Sequence, residues 1–224
     1  MLVAQNPYLC GMEILPELLQ QYLDSHCEPE PELLKTINRE TYLKVLKPHM
    51  LSGHYQGRLL SMLSKLMQPK CILEIGTYTG YATICLAEGL VEGGEIHTIE
   101  VNLEMEEMIR KNFAESAFEK CIFPHFGDAQ QIILELSEKV YDIAFVDADK
   151  KNNLTYFNMI LGQVKSGGLI IVDNVLWKGK VYDSGANDAD TRLIREFNDA
   201  ISADDRVEKL ILPVRDGILI IRKK

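Results

Sequence analysis

The sequence predicts an α/β fold, a seven-stranded and mostly parallel sheet that ends in an antiparallel C-terminal hairpin and is preceded by N-terminal helices. Three observations predict it. From Lys70 onward short apolar runs alternate with helical patterns, which implies a parallel sheet with helices on both faces. The last two runs, 207–214 and 217–222, are separated by the short turn around Arg215-Asp216, and so brief a connection can join only antiparallel neighbours. The first third of the chain is helical in character.

In chain order, Leu15, Leu18, Leu19, Tyr22 and Leu23 recur at three- and four-residue steps and mark one apolar helix face. Pro31 suits a first helical position, and the helix it opens should stop before Pro48. A third amphipathic stretch, 57–67, carries Leu59, Leu60, Leu63, Leu66 and Met67. Strands are expected at 71–75, 95–101, 121–126, 141–147 and 168–173, with helices starting near Thr79, Asn102, Ala129 and Asn153. Pro213 is tolerable if the first hairpin strand lies at the sheet edge. There is no internal repeat or low-complexity tract. The 224 residues therefore read as one domain, 1–224, with a helical extension over 1–47 and a core over 48–224.

Composition narrows the function classes. The formal net charge is −9, with no dense Lys/Arg run, which argues against nucleic acid as a partner. No apolar run approaches the roughly 18–20 residues that span a bilayer, so no membrane role is expected. The stretch from Met1 to Tyr8 lacks the pattern of a signal peptide. Cys10, Cys27, Cys71, Cys85 and Cys121 include no C-x-x-C pair, which fits reduced thiols in a cytoplasmic protein, and with five scattered histidines a zinc site has little support.

The first strand ends at Glu74 and runs into Gly76-Thr-Tyr-Thr-Gly80 and a helix, a ligand cradle at a strand's carboxyl end. The spacing is G-x-x-x-G rather than the dinucleotide G-x-G-x-x-G, and Glu74 would repel a pyrophosphate but suit the ammonium of an amino-acid cofactor. Glu100, ending the second strand, can accept from both hydroxyls of a ribose, as the acid of dinucleotide folds also does. Asp128, in the Gly127-Asp128-Ala129 turn, can accept from an adenine amino group, though Asp in turns is common for local reasons. Asp147 closes the fourth strand, and Asp173 with Asn174 closes the fifth. On adjacent strands these form a hard, all-oxygen set suited to Mg²⁺, Mn²⁺ or Ca²⁺; the plainer reading is that they cap the following loops.

Glu74-Ile-Gly-Thr-Tyr-Thr-Gly-Tyr81, Phe145-Val-Asp-Ala-Asp-Lys150, Asp173-Asn-Val-Leu-Trp-Lys-Gly179 and Leu212-Pro-Val-Arg-Asp-Gly217 together resemble the cation-dependent O-methyltransferases of the caffeoyl-CoA and catechol type, especially small bacterial members. The resemblance runs from about Leu46 to the C-terminus and implies a Rossmann-like class I methyltransferase fold. It implies S-adenosylmethionine as methyl donor and a divalent cation, Mg²⁺ foremost, held by Asp147, Asp173 and Asn174. It implies Lys150 as general base and Met50, Glu74, Gly76, Thr77, Ala82, Glu100, Asp128, Ala129 and Asp147 as the cofactor's neighbours. Two positions depart from it: Glu100 stands where many relatives have Asp, and Ala82 where plant members often carry Ser. It also implies a homodimer.

On this reading a cation between two neighbouring phenolic oxygens acidifies a hydroxyl, Lys150 takes the proton, and the oxygen attacks the sulfonium methyl in line. Trp177 could stack on an aromatic acceptor, though a lone Trp is as often a packing residue. The segment from Lys178 to Asn187 reads as a mobile loop at the mouth, and Lys178, Lys180, Arg192 and Arg195 as a local basic rim. Tyr156 and Phe157 read as core. The acidic chain favours a small catechol-like or hydroxycinnamate-like phenol over a coenzyme A thioester. The competing readings are a nicotinamide-dependent oxidoreductase, disfavoured by the missing G-x-G-x-x-G; a base-modifying methyltransferase, disfavoured because Asp147-Ala-Asp-Lys150 replaces an Asn/Asp-Pro-Pro-aromatic loop; and a non-catalytic cofactor-binding module.

Overall fold

In the computed structural model, which describes residues 17–224, the parallel strands are β1 (Cys71–Ile75), β2 (Glu95–Glu100), β3 (Ile122–Phe126), β4 (Tyr141–Val146) and β5 (Val164–Asp173). The hairpin is β6 (Val207–Leu212) and β7 (Ile218–Lys223), and the sheet order is β3-β2-β1-β4-β5-β7-β6. The chain moves outward from β1 to β3 and then returns to the other side of β1 as β4. Strand order reverses between β1 and β4, and the crevice beyond their carboxyl ends is where such sheets bind ligands. β7 pairs antiparallel with β5 and β6. β6 is the edge, and Pro213 lies just past it, so no ladder bond is lost.

Helices α1 (Glu17–His26), α2 (Glu32–Lys44), α3 (Gly53–Met67), α4 (Tyr81–Ala87) and α5 (Glu106–Ala114) are followed by α6 (Ala129–Glu135), α7 (Asn153–Leu161) and α8 (Ala189–Ala203). Successive strand residues point to opposite faces. Ile72, Phe145 and Ile171 pack with Leu34, Leu60, Ile84 and Phe113 on one side. Leu73, Ala144, Val146 and Ile170 pack with Ile133, Phe157, Ile160 and Phe197 on the other. Each central strand is therefore buried on both faces, which explains its unbroken apolar run.

Several expectations change. Among the described residues the apolar stripe of α1 is largely exposed, Leu18 at 80% and Tyr22 at 60%. Leu15 lies outside the described residues. Pro31 is the N-cap of α2 rather than its first residue. α3 begins at Gly53, and Leu66 faces solvent. The buried face of α3 is Gln56, Gly57, Leu60, Ser61 and Ser64, small or polar because α4 packs close against it. A Cβ on Gly57 would stand 2.7 Å from the Tyr81 ring. β5 starts at Val164, earlier than the apolar run suggests, because Val164 pairs with Tyr141. Helix α8 is an element beyond those expected from the sequence; Asp188 caps it and Ile194, Phe197 and Ile201 are spaced to bury one face.

Candidate active site at the strand-order reversal

Gly76 turns the chain away from β1 with φ +104°, a conformation L side chains rarely adopt. A Cβ there would also strike the backbone of Asp147, so the tips of β1 and β4 meet only because residue 76 is glycine. Asp147 N donates to Ile75 O at 2.9 Å across the same junction. The cleft above it is lined by Met50, Leu51, Ser52, Gly76, Thr77, Tyr78, Thr79, Tyr81, Ala82 and Asp147. Five of the expected cofactor neighbours, Met50, Gly76, Thr77, Ala82 and Asp147, thus share one cleft.

Beneath the cleft, Glu74 is completely buried. Its Oε2 accepts from Thr98 Oγ1 at 2.5 Å and from Thr83 Oγ1, and Thr98 Oγ1 in turn lies 2.5 Å from Thr77 Oγ1. Oε1 has no hydrogen-bond partner among the described residues. Burial, reinforced by the charges of Asp147 and Glu100, pushes the carboxyl up to about 8 against the two threonine hydrogen bonds. A buried acceptor without a donor is a vacancy in hydrogen bonding that a cationic or N–H-bearing ligand can satisfy.

Glu100, at the tip of β2, accepts from Tyr78 N at 2.7 Å and Asn102 N at 2.9 Å, one on each oxygen. Each carboxylate oxygen keeps further lone-pair capacity for ribose hydroxyls. Asp128 is exposed and caps α6, accepting from Gln131 N at 3.1 Å on one oxygen. Ala129, the first residue of α6, is buried. Glu74, Glu100, Asp128 and Ala129 do not line the cleft itself.

At the tips of β4 and β5, Lys150 Nζ lies 3.2 Å from Asp147 Oδ1, and both side chains are largely covered. Asp173 is buried, its Oδ2 accepting from Gln56 Nε2 at 2.7 Å and its Oδ1 from Asn174 N at 2.7 Å. Burial and the nearby Asp147 charge push Asp173 up to about 7, while Lys150, Gln56 and Arg215 pull it down. Asn174 sits at φ +62°. Two neighbouring carboxylates beside an amide residue offer hard oxygen donors of the kind a divalent cation takes.

Trp177 is half-buried, with φ +46°, and opens two 3₁₀ turns over Trp177–Tyr182 that are joined across Lys178 and Gly179. The following segment is tied down rather than loose. Arg195 donates to the carbonyls of Lys180, Val181, Asp183 and Ala186 at 2.6–2.9 Å, and Arg192 donates to that of Asn187 at 2.5 Å. Lys180 pairs with Asp188 at 3.0 Å. Three of the four expected rim cations are thereby engaged within the protein. Tyr156 and Phe157 are core, Tyr156 Oη donating to Asp149 at 2.7 Å.

Sequence reasoning missed Thr83 and Thr98 on Glu74, and Gln56 and Arg215 behind Asp173. For Thr83, Thr98 and Gln56 the signal is a buried polar residue within a regular element, informative only once its distant partner is known; Arg215, in the hairpin turn, carries no such signal.

The O-methyltransferase family model matches residues 24–224. A caffeoyl-CoA O-methyltransferase from Zea mays is 37% identical over 219 residues, covering 92% of this chain and 84% of the maize protein. The O-methyltransferase from Bacillus cereus, solved in complex with SAH, has a TM-score of 0.85 at 30% identity, covering 92% of this chain and 97% of that one. TomG from Streptomyces achromogenes, an O-methyltransferase involved in tomaymycin synthesis and solved with SAM, has a TM-score of 0.85 at 28% identity, covering 92% and 96%. Nearly the whole described chain is thus accounted for by one family, and the protein belongs to the O-methyltransferases.

Proposed function

We propose that this O-methyltransferase transfers the methyl group of S-adenosylmethionine to a hydroxyl of a small catechol-like or hydroxycinnamate-like phenol, with a divalent cation at Asp147, Asp173 and Asn174. The observation that carries the proposal is the buried Asp173 carboxylate, held by Gln56 Nε2 and Asn174 N at the tip of β5, next to the β4 tip whose Asp147 lines the cleft and pairs with Lys150. The Bacillus and Streptomyces relatives solved with SAH and SAM support the choice of cofactor.

S-adenosylmethionine supplies an electrophilic methyl group, and the chain's part is to hold it. The unpartnered Glu74 Oε1 suits its ammonium, Glu100 its ribose hydroxyls, and the glycine turn at 76 lets its chain approach the backbone. Met50, Thr77 and Ala82 line the cleft beside it, with Asp128 and Ala129 proposed at the adenine end. A divalent cation, Mg²⁺ foremost, supplies Lewis acidity that makes a nearby phenolic hydroxyl easier to ionise. Asp147, Asp173 and Asn174 would hold it, Gln56 orienting Asp173. Lys150 Nζ accepts the hydroxyl proton; its support is its position, 3.2 Å from Asp147 and largely shielded from water. Orientation by these fixed groups provides the in-line approach.

The engagement of Lys180, Arg192 and Arg195 within the protein favours a small phenol over a coenzyme A thioester, whose phosphates need local cations. Trp177 is proposed to stack on the acceptor ring. We place the catalytic unit over 48–224, with 1–47 as a helical extension. The exposed Leu18, Leu19 and Tyr22 of α1 support pairing with a second copy. No helix among the described residues is long and apolar enough to cross a membrane.

The test is methyl transfer from S-adenosylmethionine to a catechol panel, with and without chelator, followed by Mg²⁺, Mn²⁺ or Ca²⁺. Activity should vanish with chelator and return with the cation. Turnover indifferent to chelator sinks the cation reading while leaving methyl transfer intact.

A further inference from the structure

The opposite end of the sheet carries a second group of ligand-type side chains. β1 and β2 pair in parallel with Cys71 beside Glu95, so these two stand on the same face, and His97, two residues on, shares it. Cys71 Sγ lies 3.6 Å from Glu95 Oε1, and His97 Nε2 lies 3.4 Å from the same oxygen. The three ligand atoms all lie within 4.8 Å of one another. A tetrahedral zinc ion with bonds of about 2.3 Å to sulfur and about 2.0–2.1 Å to nitrogen and oxygen has edges of about 3.6 Å between S and O and about 3.4 Å between N and O. The observed separations of 3.6 and 3.4 Å match those edges.

The surroundings point the same way. Cys71 and His97 are buried, 7% and 5% exposed, and His97 Nε2 makes no well-formed hydrogen bond. His97 Nδ1 is engaged by His125 Nε2 at 3.0 Å, the kind of outer contact that fixes the tautomer of a ligating imidazole. The hydroxyl of Tyr141, fully buried in the same core layer as Cys71, also lacks a partner among the described residues and feels the charges of Cys71 and Glu95. Glu95 is 30% exposed, which leaves a fourth coordination position open to solvent.

We propose that Cys71, Glu95 and His97 form a three-ligand zinc site, its fourth position left to water, that ties the start of β1 to the start of β2. A mixed sulfur, nitrogen and carboxylate set suits Zn²⁺, whereas the all-oxygen set at the other end of the sheet suits harder cations. Forming the Zn–S bond releases the thiol proton to solvent. Lys139 Nζ, 2.6 Å from Glu95 Oε1, is the cation that zinc displaces, and its half-exposed side chain can turn outward. Spacing along the chain conceals the site because its ligands come from two strands that meet only in the folded sheet.

The test is titration of the chelator-stripped full chain with Co²⁺, followed by its near-ultraviolet thiolate charge-transfer band. Asp147, Asp173 and Asn174 offer no sulfur, so this readout is independent of the catalytic proposal. Expected are a saturable band, its loss on adding Zn²⁺ and in Cys71→Ser, and a Zn²⁺-dependent rise in thermal midpoint in the native chain that Cys71→Ser reduces. Lys139→Met, a surface change that avoids the folding risk of Cys71→Ser, should bind Co²⁺ several-fold more tightly. No band in the native chain, an unchanged band in Cys71→Ser, or weaker binding in Lys139→Met would overturn the proposal.

Discussion

Gln56 Nε2 donates to Asp173 Oδ2 at 2.7 Å, joining α3 to the tip of β5 across 117 residues of sequence. The amide is held in that orientation from behind. Arg215, in the hairpin turn, donates to Gln56 Oε1 at 3.2 Å and to the carbonyl of Leu51 at 2.8 Å. Three segments remote in sequence therefore fix the direction in which one carboxylate faces.

Gln56→Leu removes the donor and leaves a buried carboxylate oxygen unpaired. Loss of such an outer contact weakens cation affinity by about 10–100-fold. The cation concentration for half-maximal methyl transfer should rise by that factor, with turnover at saturating cation much less affected. An unchanged cation requirement would show that Gln56 does not orient a ligand.

Lys150→Ala should lower kcat by about 10²–10⁴-fold, the usual range for a positioned proton acceptor. Binding of S-adenosylmethionine by calorimetry should change little, because Lys150 is assigned to the acceptor hydroxyl rather than to the cofactor. Full activity in the variant removes Lys150 from the mechanism.

The contrast between these two residues shows how much was legible in the sequence. Lys150 stands three positions from Asp147, so its neighbourhood with a candidate ligand can be read locally. Gln56 lies on a helix whose apolar spacing drew attention to Leu59, Leu63 and Leu66, yet Leu66 is exposed and Gln56 is fully buried. The alternation of strands and helices fixes the sheet, because each apolar run must be covered on both faces. It does not reveal which small or polar residues face inward where α3 and α4 approach closely. The segment after β5 was read as loose for a related reason. The four carbonyls that Arg195 gathers belong to a tertiary contact with α8, a helix that the sequence reading did not assign.

The same α3–α4 contact carries an ion network centred on Glu88. Its carboxylate accepts from Arg58 at 2.6 and 3.0 Å, Ser61 at 2.7 Å and Lys65 at 2.8 Å. Burial pushes this carboxyl up, but the hydrogen bonds from Arg58, Lys65 and Ser61 prevail and hold it at about 2. The folded value is below the unfolded one, so the stabilisation is fully present above about 4.5 and is lost as pH falls through about 2. Glu88→Gln should melt lower than the native chain at pH 7, and the gap should narrow steadily below pH 4.5. A gap independent of pH would show that the network contributes through packing alone.

Glu74 behaves in the opposite sense. Burial first, then the charges of Asp147 and Glu100, raises its carboxyl from 4.5 to about 8 despite Thr83 and Thr98. The folded value is above the unfolded one, so the cofactor-free protein keeps its full stability from this group below about 4.5 and loses it as pH rises through about 8. Glu74→Gln retains an acceptor for both threonines and removes the charge. Without cofactor it should melt higher than the native chain above pH 8 and level with it near pH 4. The substitution also deletes the carboxylate proposed for the ammonium of S-adenosylmethionine. A hydrogen bond to a charged group contributes about 1.5–3 kcal/mol, so cofactor affinity should fall by about 10–100-fold. Thermal melts across pH, paired with calorimetric titration of S-adenosylmethionine, read the two effects separately. If Glu74→Gln is more stable at high pH yet binds the cofactor as tightly as the native chain, Glu74 is buried for the fold and not for the ligand. If it is neither more stable nor weaker in binding, burial does not raise the Glu74 carboxyl above its unfolded value, and the cofactor's ammonium must be sought elsewhere in the cleft.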